Sequence, residues 1–228
     1  MDAPASGSSA DLYWLPLGAG GRVVRWNGRA YEALASRLSH RPAAQIYHSA
    51  LIVTYRGTAF TIEMGPVWNI KDVQRGVVGV GPVGSRWLGR FRLFRYETRC
   101  WRDGRIPDIT EAVDSPQRLS SDDARAAGML ELVRIAPPLT WGRDELRTGE
   151  MWNSNSLVSW LLARTGHDTS VITPPRGGRA PGWDAGLALA VWVQANGNTG
   201  RGKPPVGHAA ARWSSETTAC FDDLETMP

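Results

Sequence analysis

Two runs of β-branched and aromatic residues constrain the fold more than any other part of the chain. They read "QIYHSALIVTY" and "AFTIEMG", and only "RGT" separates them. Such runs favour strands, and a short gap that contains Gly favours a hairpin. If "RG" forms a two-residue turn, Tyr55 pairs with Thr58 and Ala50 pairs with Glu63. The sequence therefore predicts an antiparallel hairpin at residues 45–65.

The predicted hairpin places a histidine and a carboxylate on one face of the sheet. Residues two apart on a strand share a face, so His48 lies diagonally across from Glu63. A carboxylate beside an imidazole can fix its tautomer and raise its basicity. A single histidine on a strand is more often a structural residue, and this interpretation stays open beside the catalytic one.

Further strands and helices follow from the same periodicities. The stretches "DLYWLPLG", "RVVRWNG" and "FRLFRYETRCW" are typical of strands, and "RAYEALASRLSHRP" has helical spacing. The stretch "SSDDARAAGMLELVRI" predicts a helix with a Ser cap and an acidic first turn. The apolar run "LALAVWVQ" fits either a strand or a helix. The Gly-rich run "GVVGVGPVGSRWLG" lacks the residues of a phosphate-binding loop.

A second helix begins in an unusual polar run. In "MWNSNSLVSWLL" two Asn-Ser pairs stand before an apolar helix, which we predict to run from residue 153 to about Arg164, with Gly166 ending it. Ser154 lies at the helix start, where unpaired N–H groups create a positive potential. This position suits an N-cap, and it equally suits a nucleophile whose oxyanion needs stabilisation.

The order of these features resembles the circularly permuted papain-like families, the NlpC-like and lecithin:retinol acyltransferase-like proteins. In those families the strand with the histidine precedes the nucleophile helix, which typically reads Asn-Cys-x-x-Phe-Val. This chain reads "NSNSLV" at residues 153–158, and the likeness covers roughly residues 48–166. The resemblance implies an α/β (α+β) fold with an antiparallel sheet packed against the nucleophile-position helix.

The resemblance also implies roles for individual residues. Ser154 takes the position of the nucleophilic cysteine, His48 that of the base, and Glu63 falls near the third polar residue. The backbone N–H of Ser154 would form part of an oxyanion hole. Because a hydroxyl is far less acidic than a thiol, the change from Cys to Ser demands tighter geometry from the base.

Two classes of function remain open from the sequence. One is an amide or ester hydrolase or acyltransferase with a Ser-His-Glu site, which the retained histidine and carboxylate favour. The other is a non-catalytic papain-like descendant, a pseudoenzyme that binds a peptide, lipid or cell-wall fragment, which the loss of the thiol favours. Four residues on the expected cleft walls are assigned to substrate binding: Trp68, Trp152, Asn153 and Trp183.

Composition limits the remaining alternatives. The net charge is +4, and the arginines that carry most of the basic charge are spread along the chain without a nucleic-acid-binding motif, so we expect no nucleic-acid partner. The abundance of Arg over Lys suggests a bacterial gene. Without a signal peptide or an apolar run of membrane-spanning length, we expect a cytoplasmic protein that has no membrane span.

The cysteines and the ends of the chain complete these expectations. Cys100 and Cys220 lie far apart without metal-ligand spacing, so we predict two reduced thiols and neither a metal nor another cofactor. We expect a disordered leader at residues 1–10, one domain at residues 11–195 and a loosely ordered tail at residues 196–228.

Overall fold

The structure is a computed structural model that describes residues 7–17, 44–67, 76–106 and 108–196. Within these ranges the chain forms six strands and three α-helices. The strands are β1 (Ser9–Pro16), β2 (Tyr47–Tyr55), β3 (Thr58–Pro66), β4 (Val77–Pro82), β5 (Arg95–Arg102) and β6 (Val113–Ser120). The helices are α1 (Asp123–Arg134), α2 (Ser154–Arg164) and α3 (Trp183–Asn196).

All six strands form one antiparallel sheet in the order β4-β5-β3-β2-β1-β6. The architecture therefore belongs to the α+β class, as the sequence predicted at this coarse level. No helix in the described part of the chain is long and apolar enough to cross a bilayer. The strand predicted at residues 22–28, the helix predicted at residues 29–42 and nearly all of the tail lie outside the described ranges.

The β2–β3 hairpin has the predicted register. Tyr55 pairs with Thr58 and Leu51 pairs with Ile62. The two turn residues have positive φ, 46° for Arg56 and 81° for Gly57. Two-residue turns of type I′ have this left-handed backbone at both positions, and it matches the twist of the flanking strands. The alternation of side chains along β2 and β3 is thereby fixed.

The structure corrects some of the local predictions and decides one that the sequence left open. β1 begins at Ser9, inside the predicted leader, and Asp122 rather than a serine caps α1, accepting a hydrogen bond from the backbone N–H of Arg125. The strand predicted from residue 91 begins only at Arg95, because residues 92–94 form a 3₁₀ turn before β5. β6 had no strong sequence signal because "VDSPQRLS" contains Pro and few apolar residues, which an edge strand tolerates. The ambiguous "LALAVWVQ" is helical and belongs to α3.

The two faces of the sheet have different surroundings. One face packs against the helices: Leu12, Leu51 and Ile62 are fully buried in a cluster with Met129 of α1 and Leu157 of α2. We call this the helix face. The opposite face carries a smaller apolar cluster that consists of Leu15, Ala50 and Ile106. Which face a strand residue occupies therefore decides whether it can meet a helix.

The two C-terminal helices are packed unusually closely. A Cβ atom built on Gly186 of α3 would lie 2.0 Å from the backbone oxygen of Ser156 and 2.1 Å from the hydroxyl of Ser159, both on α2. Only a residue without a side chain allows this approach. The close contact places the start of α3 beside the start of α2.

Candidate functional site

The polar run at the start of α2 is a complete helix cap. The amide oxygen of Asn153 accepts hydrogen bonds from the backbone N–H groups of Asn155 at 2.9 Å and Ser156 at 3.4 Å. In return, the Ser156 hydroxyl accepts from the backbone N–H of Asn153 at 3.1 Å. This reciprocal arrangement is a capping box, and it satisfies backbone donors that would otherwise be unpaired.

The same run also ties α2 to β2. The amide oxygen of Asn155 accepts a hydrogen bond from the Ser49 hydroxyl at 2.9 Å. The amide nitrogen of Asn155 donates to the backbone oxygens of Tyr47 at 3.0 Å and Pro181 at 2.9 Å. Asn155 is 2% exposed, so each of these bonds pairs a group that has little access to water.

The hydroxyls of α2 hold the segment that leads into α3. Ser156 donates to the backbone oxygen of Gly182 and Ser159 donates to that of Trp183, each at 2.7 Å. We call the five side chains that make these connections the polar joint: Ser49, Asn153, Asn155, Ser156 and Ser159. Of these five residues the sequence predicted only Asn153 as part of a site. The "NSNS" run was a visible signal for Asn155 and Ser156, and no signal pointed to Ser49 or Ser159.

Ser154, the predicted nucleophile, is the first residue of α2 and is 5% exposed. Among the described residues its hydroxyl has no hydrogen-bond partner, in contrast to the hydroxyls of Ser156 and Ser159. Its location at a helix N-terminus agrees with the sequence expectation. Its surroundings do not, because His48 is absent from them.

His48 lies on the side of the sheet away from α2. Its neighbours Tyr47 and Ser49 on β2 face the helices, so the alternation of the strand turns His48 to the opposite face. Its cross-strand partner Leu15 belongs to the cluster on that face. The expectation that His48 and Ser154 face each other across one cleft is therefore wrong.

The environment of His48 also makes it a weak base. The side chain keeps some contact with solvent, but burial lowers its pKa to about 4, and the Asp108 carboxylate only partly opposes this shift. An imidazole with this pKa is neutral near pH ~7 but binds a proton only weakly there. A general base works best when its pKa is close to the operating pH. The structure thus gives His48 neither the location nor the protonation behaviour that the resemblance implied.

Glu63 shares the face of His48, as the register predicted, but it binds a different residue. Its carboxylate accepts a hydrogen bond from Arg99 at 2.8 Å, and Arg99 also contacts Glu97 at 3.1 Å. Burial raises the pKa of Glu63, and Arg99 counteracts part of that rise. The proposed role of Glu63 in orienting His48 is replaced by an ion pair with Arg99, which followed from no sequence motif.

The four residues that were predicted to bind substrate lie in different environments. Trp152 is 1% exposed and belongs to the core, so that assignment is wrong. Both amide atoms of Asn153 are occupied, because its nitrogen donates to the backbone oxygen of Pro181 at 2.8 Å. Trp183 lines a surface pocket. Trp68 lies outside the described residues.

The pocket that contains Trp183 lies beside the polar joint and has a volume of about 240 Å³. Its charged lining consists of Glu150, Arg179 and Asp184. Glu150 accepts hydrogen bonds from the backbone N–H groups of Gly182 at 2.8 Å and Asp184 at 3.1 Å, so it holds the start of α3. Burial raises the pKa of Glu150. We call this cavity the Trp183 pocket.

A larger pocket of about 490 Å³ lies elsewhere, between the start of the β4–β5 segment and the loop before α2. Its charged groups already have partners: Arg86 pairs with Glu145 at 2.9 Å, Glu145 also accepts from Thr140, and Arg143 donates to the backbone oxygen of Gly84. Asp144 accepts from the backbone N–H groups of Thr148 and Gly149. These bonds are typical of a loop that is held in shape by its own side chains.

The described residues contain no group of three His, Cys, Asp or Glu side chains that could hold a metal ion. Cys100 is buried on β5 and faces the helices, and Cys220 lies outside the described ranges.

Comparison of the chain with protein-family models, curated proteins and solved structures finds no match.

Proposed function

We propose that this chain is a non-catalytic binding domain of permuted papain-like descent, and that it binds a small ligand in the Trp183 pocket. One observation carries the proposal: Ser154 and His48 lie on opposite sides of β2. A nucleophilic serine has to pass its proton to a base within hydrogen-bonding distance during attack. His48 cannot accept that proton from the other side of a sheet.

The polar joint supports the same conclusion. In an acyl-transfer site the groups around the nucleophile need to remain available for substrate. Here the polar atoms of Asn153, Asn155 and Ser156 already form hydrogen bonds within the helix cap, to β2 and to the segment that leads into α3. The "NSNS" run therefore acts as a structural connection, and the adjoining Trp183 pocket is the place that we propose for a ligand.

The lining of the Trp183 pocket selects a class of ligand. Glu150 and Asp184 provide carboxylate oxygens, which accept hydrogen bonds from amines and hydroxyls, and these two carboxylates outnumber the single guanidinium of Arg179. The ring of Trp183 provides an apolar wall, and it packs against Trp14 with ring centroids 5.3 Å apart. A volume of about 240 Å³ suits one amino acid or one sugar ring. The ligand class is a donor-rich fragment, either a peptide amine or a cell-wall sugar.

Ligand binding is tested by NMR titration with two probes, trialanine with a free amino terminus and tri-N-acetylglucosamine. We expect one of them to shift the indole resonance of Trp183, and Asp184→Asn to weaken that binding by roughly tenfold because a charge-assisted bond is lost. Asp123→Asn is the matched control, since Asp123 is also an exposed acid in the first turn of a helix. Equal weakening by both variants, or no shift with either probe, would contradict the proposed pocket.

The absence of catalysis is tested separately by Ser154→Cys. If the position is not catalytic, the new thiol reacts with iodoacetamide at the slow rate of an ordinary buried thiol, and adding His48→Ala leaves that rate unchanged. A hydrolase or acyltransferase site would give rapid labelling near neutral pH that slows when His48 is removed. That second outcome would restore the catalytic alternative whatever the binding experiment shows.

A further inference from the structure

The segment between β4 and β5 concentrates exposed apolar side chains. Trp87, Phe91, Leu93 and Phe94 are 61%, 50%, 63% and 37% exposed. Nine large hydrophobic side chains are exposed in the described part of the chain, and four of them fall within the eight positions 87–94. An apolar surface of this density is typical of an interaction site. We call residues 85–95, "SRWLGRFRLFR", the arginine–aromatic loop.

The arginine–aromatic loop is held in a defined shape. The backbone N–H groups of Phe91 and Phe94 donate to the oxygens of Leu88 and Phe91 at 2.9 and 3.0 Å, closing two 3₁₀ turns. The Arg95 guanidinium donates to the backbone oxygen of Gly89 at 2.5 Å. The apolar side chains are therefore presented by an ordered backbone, which lowers the entropy cost of binding.

The same loop carries a concentrated positive charge. It contains Arg86, Arg90, Arg92 and Arg95, and the sequence has no acidic residue from position 76 to 96. Of these four arginines only Arg86 has a carboxylate partner among the described residues, namely Glu145. The other three guanidinium groups have no counter-charge within the described part of the chain. The complementary partner is an anionic surface that also accepts apolar side chains.

We propose that the arginine–aromatic loop binds the surface of a lipid bilayer that contains anionic headgroups. Trp and Phe side chains favour the interface between headgroups and acyl chains, where Leu93 would also bury its apolar atoms. Each arginine near an anionic leaflet adds favourable electrostatic energy that salt screens. The loop gives the domain a peripheral attachment that is separate from the Trp183 pocket.

The geometry of the rings favours a bilayer over nucleic acid. Binding of single-stranded nucleic acid depends on aromatic faces that are open for base stacking. The guanidinium of Arg90 lies over the Trp87 ring at 4.0 Å from its centroid, and Phe91 packs edge-on against Trp87 at 6.0 Å. The most exposed apolar residue of the loop, Leu93, offers no ring at all. A bilayer accepts these side chains without an open stacking face.

The proposal is tested by co-sedimentation of the full chain with vesicles. One set contains phosphatidylcholine alone and the other contains phosphatidylcholine and phosphatidylglycerol at roughly 7:3. We expect binding to the anionic set that falls several-fold in about 0.5 M salt. Phe91→Ser combined with Leu93→Ser should lower partitioning by at least about tenfold, and Arg92→Gln by about fivefold.

Matched controls separate the loop from general surface effects. Val171→Ser removes a side chain that is 72% exposed elsewhere, and Arg105→Gln removes an exposed arginine outside the loop. Both controls should bind vesicles like the parent protein, and all variants should keep the parent circular dichroism spectrum. Because Arg92 is exposed, its variant keeps the test valid even if the double serine variant misfolds.

Three results would overturn the proposal. The first is no binding to anionic vesicles, and the second is equal loss with loop and control variants. The third is that the loop variants instead abolish self-association in analytical ultracentrifugation, or binding to a single-stranded oligonucleotide, while vesicle binding stays unchanged. In that case the loop contacts a second copy of the chain or a nucleic acid.

Discussion

The hydroxyl of Ser49 on β2 donates a hydrogen bond to the amide oxygen of Asn155 on α2 at 2.9 Å, and both side chains are almost completely buried. This bond joins residues 106 positions apart in the sequence. It lies next to Ser154, the residue that the resemblance to permuted papain-like families proposed as the nucleophile. The bond connects β2 to α2, so its removal should lower folding stability before it changes the binding of any ligand.

Asn155→Leu should strongly destabilise the domain. The substitution removes the partner of the Ser49 hydroxyl and of the backbone oxygen of Tyr47 and leaves both buried, whereas the backbone oxygen of Pro181 keeps its bond from Asn153. Each unsatisfied group costs about 1–3 kcal/mol, so we expect a loss of at least about 2 kcal/mol in the free energy of unfolding. Urea denaturation followed by circular dichroism measures it.

Ser49→Ala and Asn196→Ala complete that experiment. Ser49→Ala removes one bond and should cost about 1 kcal/mol, and its effect should be less than additive with Asn155→Leu because the two side chains are partners. Asn196→Ala changes an exposed Asn at the end of α3 and should be nearly neutral. Additive effects of Ser49→Ala and Asn155→Leu would contradict the joint.

Gly186→Ala should destabilise the packing of α2 against α3. The new Cβ would overlap the backbone oxygen of Ser156, at 2.0 Å, and backbone atoms cannot move aside as a flexible side chain can. We expect a loss of about 2–3 kcal/mol in urea denaturation. Gly128→Ala is the matched control: its Cβ meets nothing nearer than Thr165 at 3.4 Å, so helix propensity should make it neutral or slightly stabilising. Equal responses of the two variants would refute the close approach.

The hairpin could be predicted from the sequence because its determinants are local. Two β-branched runs and an Arg-Gly turn fix the register within twenty residues, and the structure has that register. The same register placed His48 and Glu63 on one face. Helix α2 was equally readable, because its cap and its stop signal lie inside the segment itself.

The relation between the hairpin and α2 could not be predicted in this way. Whether α2 packs on the His48 face or on the Ser49 face depends on contacts more than 100 residues apart, and a strand with apolar residues on both faces leaves the choice open. Arg99, the true partner of Glu63, comes from a strand 36 positions further along the chain. No local spacing predicts that ion pair.

His48 should make the protein less stable in mild acid. Its pKa is about 4 in the folded protein against an ordinary value of 6.5, so the unfolded chain binds its proton first as the pH falls. The contribution to stability is therefore complete above pH ~7 and is lost as the pH falls from about 6.5 towards about 4. The loss between pH ~7.5 and pH ~5 amounts to about 2 kcal/mol. Urea denaturation at a series of pH values measures it.

His48→Gln is the comparison that isolates this effect. The variant lacks the titrating group, so its free energy of unfolding should fall less steeply with acid than that of the parent protein. His167, whose pKa burial also lowers, is present in both proteins, and its contribution cancels in the difference. Parallel pH profiles would show that the pKa of His48 is not depressed.

Arg99→Met should damage the face of the sheet that carries His48. Arg99 is 3% exposed and lies between the carboxylates of Glu63 and Glu97, so its removal leaves two buried negative charges close together. Breaking a buried ion pair from one side costs about 3–5 kcal/mol. Urea denaturation near neutral pH should show a loss of this size.

The pH dependence of Arg99→Met distinguishes charge repulsion from lost packing. Without the guanidinium the pKa of Glu63 in the folded protein rises further above its value in the unfolded chain. The loss of folding stability is therefore complete at pH values above the folded pKa. It disappears as the pH falls and protonation neutralises the carboxyl group. The deficit relative to the parent protein should therefore shrink in mild acid, and adding Glu63→Gln should recover part of it at neutral pH. Arg102→Met, which removes one side of an exposed ion pair with Asp103, should change stability far less. A deficit that stays constant with pH and is not relieved by Glu63→Gln would mean that Arg99 acts only by filling space.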